Sequence, residues 1–184
     1  MPANTGVPTL TGDRITLRAP TTADKAVRLA LGRNDEIERG FGGDPTTLQP
    51  LTSEDVDAWF EAAARQTEWV IEAASRFIGT IRLHSYVPAD ERAQLAVGIL
   101  DPAFLDQAFG TEAIRVLLKH SFETLGLHRI GLRVLATNHR AIRSYQKCGF
   151  VLEGTERESA LVAGAWQDDL IMGILRTGWL ALQK

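Results

Sequence analysis

The residues Asp101 to Thr111 (DPAFLDQAFGT) lie between an apolar strand-like segment and a run with helical periodicity. A helix that begins there offers N–H groups without intrahelical acceptors and the positive end of its dipole. Both suit a diphosphate. Ala108 and Gly110 are small enough to let a ligand approach the backbone. The same residues equally serve to start an ordinary buried helix, and one glycine does not separate these readings.

A second group lies downstream. Asn138 is a good cap for a short helix that carries Ala141, Ile142, Tyr145 and Cys148 inward and Arg140, Arg143 and Lys147 outward. By itself, an inward Tyr145 is a core residue. Cys148 shares the spacing of Ala141 and Tyr145, which describes a packed small apolar side chain rather than an acyl carrier. His84, His120, His128 and His139 show neither HExxH nor paired CxxC spacing, so no metal is expected.

These groups need a scaffold. Arg14 to Arg18 alternates as a strand. Thr21-x-x-Asp24 opens a helix whose apolar stripe is Ala23, Ala26, Val27, Ala30 and Leu31. Asn34 to Pro50 reads as a long loop with one helical turn, of a length more often functional than not. Thr52-x-x-Asp55 caps a second helix with Val56, Trp59, Phe60, Ala63 and Ala64 on one face. Trp69 to Ala73 and Phe77 to His84 form a hairpin through Ala74-Ser75-Arg76. Gln94 to Leu100, apolar on both sides, is a central strand. The helix from Phe109 to Leu125 buries Ile114, Leu117, Leu118, Phe122 and Leu125, and Gly126 follows as a left-handed cap. Ile130, Leu132 and Val134 alternate in a further strand. Phe150 to Leu152 and Asp169 to Leu175 complete the sheet. The expectation is one domain over 1–184, an α/β mixed sheet with flanking helices, with residues 1–9 flexible.

Composition is that of an ordinary globular chain: 184 residues, 45% hydrophobic, 23% charged and a net charge of −3. A net negative charge without a basic run argues against a nucleic-acid partner. No apolar run approaches the ~20 residues needed to span a bilayer, and the N-terminus has no secretion-signal pattern. A single cysteine suits a reducing cytoplasm.

The stretch Gly126 to Phe150 (GLHRIGLRVLATNHRAIRSYQKCGF) resembles the second motif of the GNAT acetyltransferase superfamily. Leu105 to Gly110 stands where that family carries its Q/R-x-x-G-x-G/A coenzyme A loop. LTGDRITLRAPTTAD and WQDDLIMGIL resemble the RimJ/RimL-like branch, so the likeness runs from about Leu10 to Leu175. It implies a GNAT-like acyl-CoA N-acyltransferase fold, whose mostly antiparallel sheet splays between its fourth and fifth strands to hold acetyl-CoA. It further implies a cofactor site of Gly98, Ile99, Leu100, Leu105, Asp106, Gln107, Ala108, Phe109, Gly110, Thr111, Asn138 and Tyr145. Leu105 replaces the family's Gln or Arg, and Ala108 its first Gly. A Cβ at position 108 costs about 1 kcal/mol if φ there is positive. Arg140, Arg143 and Lys147 are either a solvated face or contacts for the 3′-phosphate of coenzyme A.

Acetyl transfer to an amine requires a neutral amine, a stabilised oxyanion and a protonated leaving thiolate. The resemblance assigns the oxyanion to a backbone N–H within Gly98 to Leu100 and makes Tyr145 the general acid. Relatives carry a strand carboxylate in an AEIG-like stretch, whereas this chain has Ala93-Gln94-Leu95-Ala96. The remaining base candidates are His84, Glu72, Glu91 and Asp168, with His84 preferred. The expected partners are acetyl-CoA and an amine acceptor, either a protein or peptide N-terminus or a small molecule, with attack in a ternary complex. The competing expectation is a catalytically inactive coenzyme A-binding regulator. The chain is expected as a monomer or a homodimer.

Overall fold

The computed structural model describes residues 6–65 and 67–183, with the side chains of residues 64 and 65 outside that description. The strands are β1 (Leu10–Thr11), β2 (Ile15–Arg18), β3 (Thr67–Ala73), β4 (Arg76–Val87), β5 (Arg92–Ile99), β6 (Arg129–Leu135), β7 (Val151–Val162) and β8 (Ala165–Leu175). The helices are α1 (Thr22–Leu31), α2 (Asp35–Gly40), α3 (Ser53–Arg65), α4 (Phe109–Lys119), α5 (His139–Lys147) and α6 (Arg176–Ala181). The strands form one sheet in the order β1-β2-β3-β4-β5-β6-β8-β7, antiparallel except between β5 and β6.

That exception positions the site. The parallel ladder runs from Arg92↔Arg129 to Gln94↔Gly131 and stops. A Cβ on Gly131 would lie 2.9 Å from Gln94 Nε2, so the Gln94 side chain lies across the last pair. Beyond it, β5 continues to Ile99 on β4 alone and β6 continues to Leu135 on β8 alone. The sheet therefore opens as a V whose apex is Gln94 and Gly131.

One face of β3–β5 carries the core. Trp69, Ile71, Ile81, Leu83, Ala93 and Leu95 are buried with Ala113, Ile114, Leu117, Leu118 and Phe122 of the α4 segment. The other face of β4 and β5, through Thr80, Arg82, His84, Gln94, Ala96 and Gly98, lines a cleft. The apolar character of β5 on both sides therefore has two causes. Ala93 and Leu95 pack in the core, while Ala96 and Gly98 place little or no side chain on the cleft face.

Several expectations need correction. The stripe of α1 does not face inward: Ala23, Ala26, Val27 and Ala30 are exposed. Asp24 is buried instead, bonded to Arg18 Nη1 and Nη2 at 2.8 Å each and to the Thr21 N–H at 2.6 Å. A buried carboxylate held by an arginine outweighs a stripe of alanines in setting the rotation of the helix. Leu125 is 43% exposed because α4 passes into a π-helical turn, His120–Thr124, whose wider register rotates it outward. The C-terminal helix α6, absent from the sequence reading, seats Trp179 against Phe122 at 5.5 Å. Of the lead expected to be flexible, residues 1–5 lie outside the described residues. Val7 packs against the core and the Pro8 carbonyl accepts from Trp69 Nε1 at 2.8 Å.

Candidate active site

The opening of the V is a cleft of about 730 Å³, within the range of small-molecule sites. Its walls are Leu95–Ile99 on β5 with Leu100 just beyond it, Val134 and Leu135 on β6, the start of α4, and one face of α5. Because β5 loses its β6 partner after Gln94, alternate residues from Leu95 onward turn backbone N–H and C=O groups toward the cleft. Gly98 lies in this stretch. A Cβ on Gly79, beside it on β4, would lie 2.1 Å from the Gly98 carbonyl oxygen, so close approach demands glycine there.

The loop before α4 combines two left-handed residues, Asp106 at φ 57° and Ala108 at φ 63°. Ala108 is therefore strained in the way its side chain implies, by about 1 kcal/mol relative to glycine. The turn places the start of α4 on the cleft, and helix geometry leaves the first-turn N–H groups of Phe109, Gly110 and Thr111 without intrahelical acceptors. Leu105, Asp106, Ala108, Phe109, Gly110 and Thr111 all line the cleft together with Gly98, Ile99 and Leu100. Gln107 does not: its Nε2 donates back to the Ala103 carbonyl at 2.6 Å. The Phe109 ring belongs to the core, against Phe104 at 5.4 Å and beneath the Arg14 guanidinium at 4.4 Å. Arg140, Arg143 and Lys147 stand on the cleft wall, and Arg140 also pairs with Glu36 at 2.5 Å.

Asn138 caps α5 by accepting from the Ala141 N–H at 3.1 Å. Two turns beyond this cap, Tyr145 is 7% exposed, lines the cleft and meets Phe150 edge-on at 5.8 Å. Burial, with the neighbouring Cys148, pushes its phenol up to about 12, so it is protonated at neutral pH. Burial likewise pushes the Cys148 thiol up to about 11 against the opposing charge of Arg115. Its Sγ lies 3.4 Å from the Thr111 carbonyl, which makes it a packing residue.

On the polar face, His84 sits within β4 opposite Gln94 and lines the cleft. Burial, and then the charge of Arg82, lowers its pKa, which favours the neutral base. The other sequence candidates do not line it. Glu72 is paired with Arg18 at 2.6 Å, and Asp168 accepts from the Glu158 N–H at 2.8 Å. Glu91 occupies a left-handed turn at φ 48° before β5.

Sequence reasoning missed two carboxylates and an aromatic ring. Glu68, 4% exposed, accepts from Trp59 Nε1 at 2.9 Å and shares a cross-strand row with Arg82 and Ala96. Beginning the strand at Trp69 leaves Glu68 out, although its alternation with the buried Trp69 puts it on the non-core side. Asp169, 5% exposed, is held by Ser159 Oγ at 2.8 Å and Arg133 Nε at 3.1 Å. The ring is Phe41, on the segment after α2, which crosses the mouth of the cleft. Among the described residues there is no group of three metal-ligating side chains, and no helix is long and apolar enough to cross a membrane.

A sheet splayed beside a helix N-terminus, with a buried phenol across the gap, defines an acyl-transfer site for a coenzyme A thioester. Similarity to known proteins gives the same class. The family model described as Acetyltransferase (GNAT) domain matches residues 14–151, and the chain belongs to this family of acetyl-CoA-dependent N-acetyltransferases. An uncharacterised N-acetyltransferase of Bacillus subtilis, YoaA, is 30% identical over 92% of this chain and 97% of its own. The spermidine N(1)-acetyltransferase of Vibrio cholerae is 32% identical over 62% of this chain and 66% of its own. The structure of spermidine N-acetyltransferase from Vibrio cholerae in complex with CoA and spermine superposes with a TM-score of 0.77 at 27% identity. That match covers 91% of this chain and 98% of the other.

Proposed function

We propose that this enzyme moves the acetyl group of acetyl-CoA directly onto a primary amine of a small cationic molecule, in a ternary complex. The observation that carries the reading is the end of the β5–β6 ladder at Gln94 and Gly131. It opens unpaired β5 backbone, the α4 N-terminus and Tyr145 onto one cleft. The diphosphate would rest on the N–H groups of Phe109, Gly110 and Thr111, and the 3′-phosphate beside Arg143 and Lys147. Since the Leu100 N–H is already bonded to the Ile78 carbonyl at 2.7 Å, a β5 N–H within Gly98 to Ile99 would face the carbonyl oxygen as it gathers charge.

A phenol at about 12 gives its proton to a thiolate near 8.5 only uphill, by roughly 5 kcal/mol. Tyr145 therefore acts chiefly as the hydrogen-bond donor that steadies the departing sulfur. The proton that completes the thiol comes from the attacking nitrogen. His84, kept neutral by burial and by Arg82, receives the proton that the ammonium must lose beforehand. Because Gln94 occupies the place of the relatives' strand carboxylate, the base is supplied from β4.

The buried Glu68 on the acceptor side of the cleft, and similarity to spermidine acetyltransferases, support a cationic small-molecule acceptor. A second reading, a protein N-terminus as in the RimJ/RimL-like branch, is favoured by LTGDRITLRAPTTAD and WQDDLIMGIL. A reducing cytoplasm, with Cys148 buried and unreactive, suits either. The test is thiol release from acetyl-CoA with polyamines, amino acids, aminoglycosides and peptides as acceptors. Turnover with an alkyl polyamine supports the first reading and turnover with peptides alone the second. Cofactor bound without turnover on any acceptor makes the chain a coenzyme A-binding regulator.

A further inference from the structure

Helix α2 and the residues just after it form a strap between the two arms of the V. At its start, Glu36 pairs with Arg140 of α5 at 2.5 Å. In its middle, the Gly40 carbonyl accepts from Asn138 Nδ2 at 2.9 Å. A Cβ on Gly42 would lie 3.6 Å from Leu135 Cδ1, at the end of β6. Between the last two points, Phe41 reaches the other arm. A Cβ on Gly98 of β5 would lie 2.5 Å from Phe41 Cζ and 3.4 Å from both Cε1 and Cε2. The equal Cε distances mean that the long axis of the ring points at Gly98.

Phe41 is also fixed from behind. Its N–H donates to the Ile37 and Glu38 carbonyls at 3.2 and 3.0 Å, the Gly43 N–H donates to the Glu38 carbonyl at 2.8 Å, and Ile37 is buried. Phe41 as a whole is 57% exposed and lines the cleft. A phenylalanine so held and so exposed adds little core. It presents a rigid apolar wall.

We infer that Phe41 sets the length of the acyl chain the enzyme transfers. This rests on the placement of the thioester along the free edge of β5 proposed above. With the carbonyl on the free edge of β5 beside Gly98, the acyl tail would run alongside the tip of the ring, which already abuts Gly98, so a methyl group clears Cζ and further methylenes meet it. The absence of a side chain at Gly98 and the ring of Phe41 are two sides of one measurement of space. Nothing in this requires the strap to move.

The experiment compares acetyl-, propionyl- and butyryl-CoA on the full chain, by thiol release with one amine acceptor and by calorimetric binding. A methylene at a hydrophobic wall discriminates by about 10- to 200-fold. Wild type is expected to favour acetyl- over butyryl-CoA in kcat/KM by about 100-fold, and Phe41→Ala to cut that ratio at least tenfold. Gly98→Ala is expected to lose acetyl transfer, and the added Phe41→Ala to restore part of it, because the clash is between those two groups. An acetyl/butyryl ratio unchanged in Phe41→Ala overturns the inference. So does a parallel fall for all three thioesters with a lowered Tm, which would make Phe41 merely structural. If wild type turns over no thioester, the acetyltransferase reading fails on its own. The acetyl/butyryl ratio of dissociation constants, in wild type against Phe41→Ala, then decides the role of Phe41.

Discussion

The carboxamide of Asn138 serves two elements far apart in sequence: Oδ1 accepts from the Ala141 N–H at 3.1 Å while Nδ2 donates to the Gly40 carbonyl at 2.9 Å. One side chain thus caps α5 and ties down the strap that crosses the cleft. Asn138→Ala loses both bonds. It should cost about 1 kcal/mol through the cap alone, lowering Tm by roughly 2–4 °C, and raise the KM for acetyl-CoA. Asn138→Asp keeps the acceptor and lacks the donor, so its Tm should stay near wild type while the KM still rises. Thermal melts and initial rates on the two variants check this.

Ala108 adopts φ 63° where glycine is the unstrained residue. Ala108→Gly relieves about 1 kcal/mol of strain, offset in the free protein by roughly 0.5–1 kcal/mol of extra chain entropy in the unfolded state. Stability should change little. Affinity for coenzyme A, measured by calorimetry, should rise by up to about tenfold if the loop relaxes further toward the diphosphate. A weakened affinity would show that the Ala108 methyl itself contacts the cofactor.

Tyr145→Phe removes the proposed donor to the leaving sulfur while keeping the packing against Phe150. A drop in kcat of about 10²–10³-fold, with the acetyl-CoA dissociation constant within threefold of wild type, is expected. Since burial holds the phenol at about 12, the wild-type rate should show no alkaline loss from this group below about pH 11. An unchanged kcat would remove Tyr145 from the mechanism.

His84 is held below its ordinary value by burial and by Arg82. The unfolded chain therefore binds a proton near pH 6.5 that the folded chain takes up only at lower pH. Stability is fully present above about 6.5 and declines as pH falls through the lowered value. His120, lowered by burial alone, contributes in the same direction. In catalysis, the acid limb of kcat/KM should have its midpoint below 6.5 and disappear in His84→Gln. A limb that persists in that variant assigns the base elsewhere.

Where periodicity and the chemistry of a cap coincide, the sequence was sufficient. Asn138 caps α5, Gly126 takes φ 70°, and the α4 stripe from Ile114 to Phe122 is buried. The motif spacing likewise brought Tyr145 and the 105–111 loop to one cleft, apart from Gln107, whose outward turn depends on a bond to Ala103. What was not legible depends on register across strands. Glu68 reaches the cleft only because β3 pairs it with Arg82, and Phe41 reaches it only because the strap sets the ring against Gly98. The outward stripe of α1 failed for a related reason: Arg18, on another element, draws Asp24 inward. Single-segment periodicity contains none of these long-range partners.

The central claim, that the opening between β5 and β6 holds acetyl-CoA, is tested most directly by titrating acetyl-CoA into the full chain by calorimetry. One molecule per chain, with a dissociation constant below about 1 mM, is predicted. No heat of binding at millimolar acetyl-CoA would contradict it.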